Sequence, residues 1–325
     1  MKHFTNILYV LDQEAEQPCG LERAVALARG NQARLKVVSV IESLPAGTPL
    51  EGLDLTTDDL QAASLAESQQ RLSALVEPLR GRVAIETKVL TGKLFVEVIR
   101  EVLRHDHDLV MKCVGDKPPM AALFGSEDLH LLRKCPCPLW LGRPQDDLNY
   151  RRVLAAVDVE PLASNKEQAQ QQALNATILD LAATLATSEF AELHVAHVWA
   201  ALGEPILRGG MIVTPAETKI TAYIEAERRS HSQALEQALA DLESRLGAEA
   251  LRWLKPIRHL RKGSPREELP ALAKRIEADI LVLGTLGRTG ISGLLIGNTA
   301  EAVLQRIDCA VLAVKPAGFI CPVVA

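Results

Sequence analysis

Short, nearly continuous apolar runs alternate along this chain with longer stretches in which apolar residues recur at helical spacing. Ile7-Leu-Tyr-Val-Leu, Ala33 to Val40, Val153-Leu-Ala-Ala-Val, Ala191 to Val198, Ile280 to Leu283 and Cys309 to Val314 are the clearest runs. Runs of this length without polar alternation suit strands buried on both faces. Their alternation with helical patterns predicts βαβ units, with a parallel sheet covered by helices on both sides. Two long helical patterns, Leu60 to Leu79 and Ile220 to Leu246, place apolar residues between charged and glutamine-rich faces. Pro45–Pro49 and Gly203–Gly210 precede them and read as loops.

The pattern occurs twice. Ile7-Leu-Tyr-Val-Leu-Asp12 matches Val153-Leu-Ala-Ala-Val-Asp158, each an apolar strand ending on an aspartate. Ala33 to Val40 matches Ala191 to Val198, and Thr91-Gly-Lys-Leu-Phe matches Lys262-Gly-Ser-Pro-Arg. His130-Leu-Leu-Arg-Lys-Cys-Pro-Cys-Pro-Leu-Trp-Leu141 matches Ala302 to Ala313. Four matches in one order identify a tandem duplication. The 325 residues suit two domains of ordinary size. The boundary falls in the polar stretch Arg143 to Arg152, so the expected domains are residues 1–145 and 150–317.

The second copy carries the chain's most informative segment, Ile280-Leu-Val-Leu-Gly-Thr-Leu-Gly-Arg-Thr-Gly-Ile-Ser-Gly-Leu-Leu-Ile-Gly-Asn-Thr-Ala-Glu301. A predicted strand runs into a loop with glycines at 284, 287 and 297, a G-x2-G-x9-G pattern. Asn298 is the expected N-cap of a helix over Thr299–Arg306, with Glu301 closing a capping box. Such a loop can turn backbone N–H groups toward an anion at a helix start. The same glycines also suit a tight connection and nothing more. Asp12 and Asp158 fall at the carboxyl edge of a parallel sheet, where ligands of open α/β sheets bind. Each can accept from a ligand or cap its own loop.

Hydrophobic residues make up 48% of the chain, charged residues 24%, and the net charge is −5. These values fit a globular protein. Neither half has a basic excess, which disfavours a nucleic-acid partner. There is no run of 18 apolar residues for a membrane span, and the N-terminus leads straight into a predicted core strand, so a cytoplasmic location is expected. Cys113 and Cys309 fall on predicted strands as reduced, packed thiols. Cys135-Pro-Cys137 lacks a second ligand pair for a metal site. His194 and His197 are an odd number apart on one strand and point to opposite faces, and His105-Asp-His-Asp108 reads as a solvated loop. No metal site and no catalytic residue is nominated. There is no G-x-S-x-G elbow, no G-x-x-x-x-G-K-[ST] loop and no G-x-G-x-x-G after the first strand.

The duplication, the aspartate-ended first strand and the glycine loop together resemble the universal stress proteins. Thr285-Leu-Gly-Arg-Thr-Gly290, Gly297-Asn-Thr-Ala-Glu301 and His130-Leu-Leu-Arg-Lys-Cys-Pro136 are similar to the two-domain, UspE-like members. The resemblance covers Ile7 to about Pro316. It implies two tandem Rossmann-like domains, of the adenine-nucleotide alpha hydrolase-like kind, each a five-stranded parallel sheet between helices. It also implies a role in surviving stress. Some members bind ATP with magnesium through G-x2-G-x9-G-[S/T] and others bind none. Carried over, the adenosine-holding positions are Asp158 and Val198. The phosphate-holding positions are Gly284, Thr285, Gly287, Gly297, Asn298 and Thr299.

Two departures from the family pattern matter. Asn298 replaces the Ser or Thr hydroxyl, and an amide can donate to phosphate only by giving up its cap. In the first copy, aligning Gly125 with Gly297 puts Lys112 in place of Gly284. Pro118 and Pro119 remove donors from its loop. Ser126 is its expected cap, and Glu127 and Asp128 place carboxylates where phosphates would lie, with Lys112 and Lys117 as the offsetting cations. The first domain is therefore expected to be degenerate for nucleotide and to serve as a structural or partner surface. The expectation is a stress-response binding and regulatory protein rather than an enzyme, its two domains paired through their last strands and the chain open to further homodimer pairing. A weak adenine-nucleotide hydrolase or autokinase, and a carrier of an apolar small ligand, are the alternatives.

Overall fold

The computed structural model describes residues 4–11, 20–50, 54–114, 125–143, 146, 149–160, 165–209, 215–285 and 297–324. The first repeat supplies β1 (Asn6–Leu11), α1 (Leu21–Asn31), β2 (Arg34–Ile41), α2 (Thr57–Val76, then a 3-10 turn Glu77–Leu79) and β3 (Ile85–Thr91). It continues with α3 (Leu94–His105), β4 (Leu109–Cys113), α4 (Ser126–Lys134) and β5 (Leu139–Gly142). The second repeat supplies β6 (Arg152–Ala156), α5 (Asn165–Glu189), β7 (Glu192–Trp199), α6 (Glu204–Arg208), α7 (Glu217–Leu246) and α8 (Ala248–Leu254). It ends with β8 (Ile257–Lys262), α9 (Pro265–Arg275), β9 (Ile280–Gly284), α10 (Asn298–Leu304) and β10 (Ala310–Val314). Part of the expected Gly203–Gly210 loop is thus a short helix, begun by Pro205 in its first turn.

Contacts divide the chain into two compact units. The first gathers the first repeat together with Cys309–Ala325, and the second holds Tyr150–Thr289 and Gly297–Asp308. In the first unit the strands run in the order β3-β2-β1-β4-β5, all parallel. β10 joins this unit antiparallel to β5, with Val311 opposite Leu141 and Ala313 opposite Leu139. In the second unit β8-β7-β6-β9 are parallel. Each repeat supplies five strands to a Rossmann-like α/β plan. Residues 309–317, which the sequence places with the second repeat, pack in the first unit through the pairing of β10 with β5.

The duplication is visible atom by atom. Gly92 and Gly263 take φ values of 141° and 146°, each facing a glutamate (Glu97 or Glu268) that would crowd a Cβ. Asp108 accepts from the backbone of Thr5 and Asn6, and Asp279 from that of Arg151 and Arg152. Helices α1 and α5 both end on a left-handed residue, Gln32 or Phe190. Two expectations change here. His105-Asp-His-Asp108 is a packed helix end and not a solvated loop: Asp106 takes φ 53° and His107 is buried. Cys113 is disulfide-bonded and not a free thiol; its Sγ lies 3.2 Å from the point where a Cβ on Gly20 would stand.

Candidate functional site

The second unit holds a cavity of about 490 Å³ at the carboxyl ends of its strands. Asp158, Val198, Gly284, Gly297, Asn298 and Thr299 all line it, so six of the eight nominated residues meet at one place. Thr285 is fully buried, and its carbonyl accepts from Gly297 N–H at 2.8 Å, which ties the two ends of the glycine loop together. Gly287 lies outside the described residues. Helix α10 begins at Asn298 with Gly297 as its N-cap and no side-chain cap. Asn298 is thus not the expected cap, because the Gly297 carbonyl already accepts the first helical N–H, from Glu301 at 3.0 Å. Its amide, relieved of that duty, is exposed on the cavity rim.

A residue that sequence reasoning passed over positions Asp158. Asn175, buried on α5, accepts from Asp158 N–H at 3.1 Å and donates to Asp158 O at 2.6 Å. Gln171 donates to the same Asn175 oxygen at 3.2 Å. The Asp158 carboxylate accepts from Glu160 N–H at 3.3 Å, so the loop-capping role is real, with a long bond. Gly284 lies close against α5: a Cβ there would stand 2.7 Å from Leu174 Cδ2, so the Leu174 side chain would have to move. Arg266, exposed in the first turn of α9, is the one Lys or Arg among the described residues lining the cavity.

Histidines occupy both faces of β7. His197 Nδ1 meets the Val157 carbonyl at 3.2 Å, so Nδ1 carries the proton, and its Nε2 accepts from His231 Nδ1 at 2.9 Å. Burial holds His197 below the ordinary histidine range. On the other face His194 Nδ1 lies 2.9 Å from His259 Nε2, and His259 is pushed down to about 4 by burial and by His194. As the odd spacing requires, His194 and His197 do not meet; each pairs with another histidine. Among the described residues no group of three His, Cys, Asp or Glu could hold a metal ion.

The first unit treats the corresponding place differently. Strand register sets Ile7 opposite Leu109 and Val153 opposite Ile280. Cys113 therefore occupies the position of Gly284, and Lys112 that of Leu283, a correction to the alignment made from the downstream glycine. Gly125 is the N-cap of α4, so Ser126 is its first residue and Asp128 its third, the place of Ala300 in α10. Lys112 Nζ and Asp128 Oδ1 pair at 3.0 Å with both side chains 7% exposed. Lys112 also donates to the Cys113 carbonyl, and Asp128 accepts from Gly125 N–H. Leu283 and Ala300 line the cavity of the second unit; a buried ion pair stands in their place here. Glu127 accepts from Phe95 N–H at 2.9 Å.

Fold and site define a tandem Rossmann-like protein with a strand-edge cavity in its second unit. The Universal stress protein family matches residues 3–143 and again 149–315. This chain is 31% identical to Universal stress protein E of Escherichia coli K12, covering 99% of itself and 98% of that relative. It is 28% identical to the Universal stress protein E homolog of Haemophilus influenzae, over 96% and 98% of the two chains. Among solved structures, a functionally unknown protein from Pseudomonas aeruginosa PAO1 superposes with TM-score 0.69 at 24% identity, covering 96% of this chain and 93% of that one. The chain belongs to the universal stress protein family, as a tandem member. No helix among the described residues is long and apolar enough to cross a membrane.

Proposed function

We propose that this protein is a stress-response binding and regulatory protein whose second unit receives an adenine nucleotide, while the first is closed to it. The meeting of six nominated residues in one cavity carries this reading. The Asp158 carboxylate accepts from a ribose hydroxyl or an adenine amino group, the backbone at Val198 meets the base, and Gly284, Gly297 and Asn298 with Arg266 face phosphate. ATP enters with its magnesium. The role assigned is binding without turnover.

Calorimetry with magnesium ATP, beside a phosphate-release assay, tests it. One site per chain is expected, weakened about 10- to 100-fold by Asp158→Ala, on the order of a hydrogen bond to a charged group. No heat from folded wild type, or sustained phosphate release, would overturn it. Apolar wall residues, Leu174, Ile178, Leu269, Leu283 and Val303, favour a second reading, carriage of an apolar ligand. Native mass spectrometry of freshly purified protein separates the two, since a carrier retains cargo.

A further inference from the structure

The turn between α4 and β5 holds chemistry that the cavity does not use. Cys135 and Cys137 are free thiols flanking one proline, and their sulfurs touch at 3.6 Å. Cys135 is wholly buried and Cys137 partly open. The C-terminal segment brings two more reactive groups to the same end of α4. Lys315 donates its ammonium hydrogens to the carbonyls of Leu132 and Arg133, and Cys321 donates its thiol to that of Lys134 at 3.2 Å. Carrying the β5–β10 register two residues past Ala313 sets Lys315 level with Cys137.

Lys315 caps the last carbonyls of α4, and from there its charge also acts on Cys135. The contact between the two sulfurs holds Cys135 below the ordinary thiol range and lifts Cys137 above it. Burial lowers Lys315 to about 8, with Cys135 pulling the other way. A cation near a thiolate is the environment in which cysteines react. From 3.6 Å the sulfurs need to close by roughly 1.5 Å to reach bonding distance.

We propose that Cys135 and Cys137 form a redox-active dithiol that closes to a disulfide by exchange with a low-molecular-weight disulfide such as oxidised glutathione. Cys137, the partly open thiol, loses its proton as its sulfur attacks one sulfur of the external disulfide. An S–S bond forms at Cys137 and one glutathione thiolate leaves. The Cys135 thiolate then attacks the Cys137 sulfur, forming the internal bond and expelling the second glutathione thiolate. The two protein thiol protons pass to the two released thiolates. The protein gives up two electrons, and one oxidised glutathione becomes two reduced ones.

The full chain is equilibrated with graded ratios of reduced to oxidised glutathione, quenched in acid, alkylated under denaturing conditions and mapped by mass spectrometry. Cys135 and Cys137 should lose alkylation together, in a peptide two hydrogens lighter, and regain it with dithiothreitol. In Cys137→Ser, Cys135 should stay alkylatable at every ratio. Cys321→Ser should leave the wild-type titration unmoved. Full alkylation of both cysteines at the most oxidising ratio would overturn the proposal. So would a stable glutathione adduct on Cys137, or a Cys135–Cys321 link.

Discussion

Two copies of one plan end their fourth strand differently, one on a cavity wall and the other on a buried ion pair. In the second unit Leu283, Gly284 and Ala300 line a cavity. In the first, the same positions hold Lys112, Cys113 and Asp128, and Lys112 turns inward to pair with Asp128. The same contrast recurs on the same face of the sheet, nearer its β3 or β8 edge. Lys36 and Lys88 flank the buried Glu101 in the first unit, where the register of the second places His194 and His259. One copy is filled with permanent charges that satisfy one another. The other keeps apolar walls and titratable rings.

The sharpest way to break this contrast is to unpair the closed site. Lys112→Ala leaves Asp128 buried without its cation and should cost about 3–5 kcal/mol in urea unfolding. The double change Lys112→Leu with Asp128→Ala, which installs the second unit's residues, should recover most of that. A single-variant cost below about 1 kcal/mol would mean that the pair is not what holds α4 to β4. The reverse graft, Leu283→Lys with Ala300→Asp, should lower magnesium ATP affinity about 100-fold, or about 2.7 kcal/mol, read by calorimetry. Unchanged affinity would separate the ligand from this cavity.

A smaller effect is expected at Asn175. Asn175→Ala strips both backbone groups of Asp158 of a partner, at about 2 kcal/mol, and should weaken nucleotide binding without touching the glycine loop. Acid sharpens the comparison from the histidine side. His259 titrates near 4 in the folded unit against 6.5 for an ordinary histidine, so the unfolded chain takes up its proton first as pH falls. That share of stability is whole above about 6.5 and is lost toward 4, and His259→Gln should flatten the loss in a pH series of melting curves. The least effect belongs to a feature the copies share. Gln32→Gly and Phe190→Gly each relieve a left-handed residue, gaining about 1 kcal/mol or less.

Much of the plan was legible because it lies in local pattern. Apolar runs marked the strands, and aspartate and glycine positions marked the strand edge. Asn175 escaped because its helix stretch, Asn165-Lys-Glu-Gln-Ala-Gln-Gln-Gln-Ala-Leu-Asn175, shows no clear apolar stripe. This helix has 25 residues against 11 in α1, so its start has no counterpart for the repeat to reveal. The Lys112 pairing was misaligned by one residue, since the loops of the two copies differ in length and a gap inside a loop leaves no periodic trace. The histidine pairs join residues 34 and 65 positions apart, which no spacing rule reaches.

The antiparallel seam between β5 and β10 has a consequence for how the chain is made. β5 ends at Gly142, yet the strand that covers it begins at Ala310. On a ribosome adding roughly 5–20 residues per second, the first unit waits on the order of ten seconds with its border strand bare. A bare strand border is a template for pairing with any other extended chain. Truncated or stalled translation products that stop short of Ala310 are therefore the species of this protein most prone to coaggregate, and β10 acts as the latch that ends that exposure.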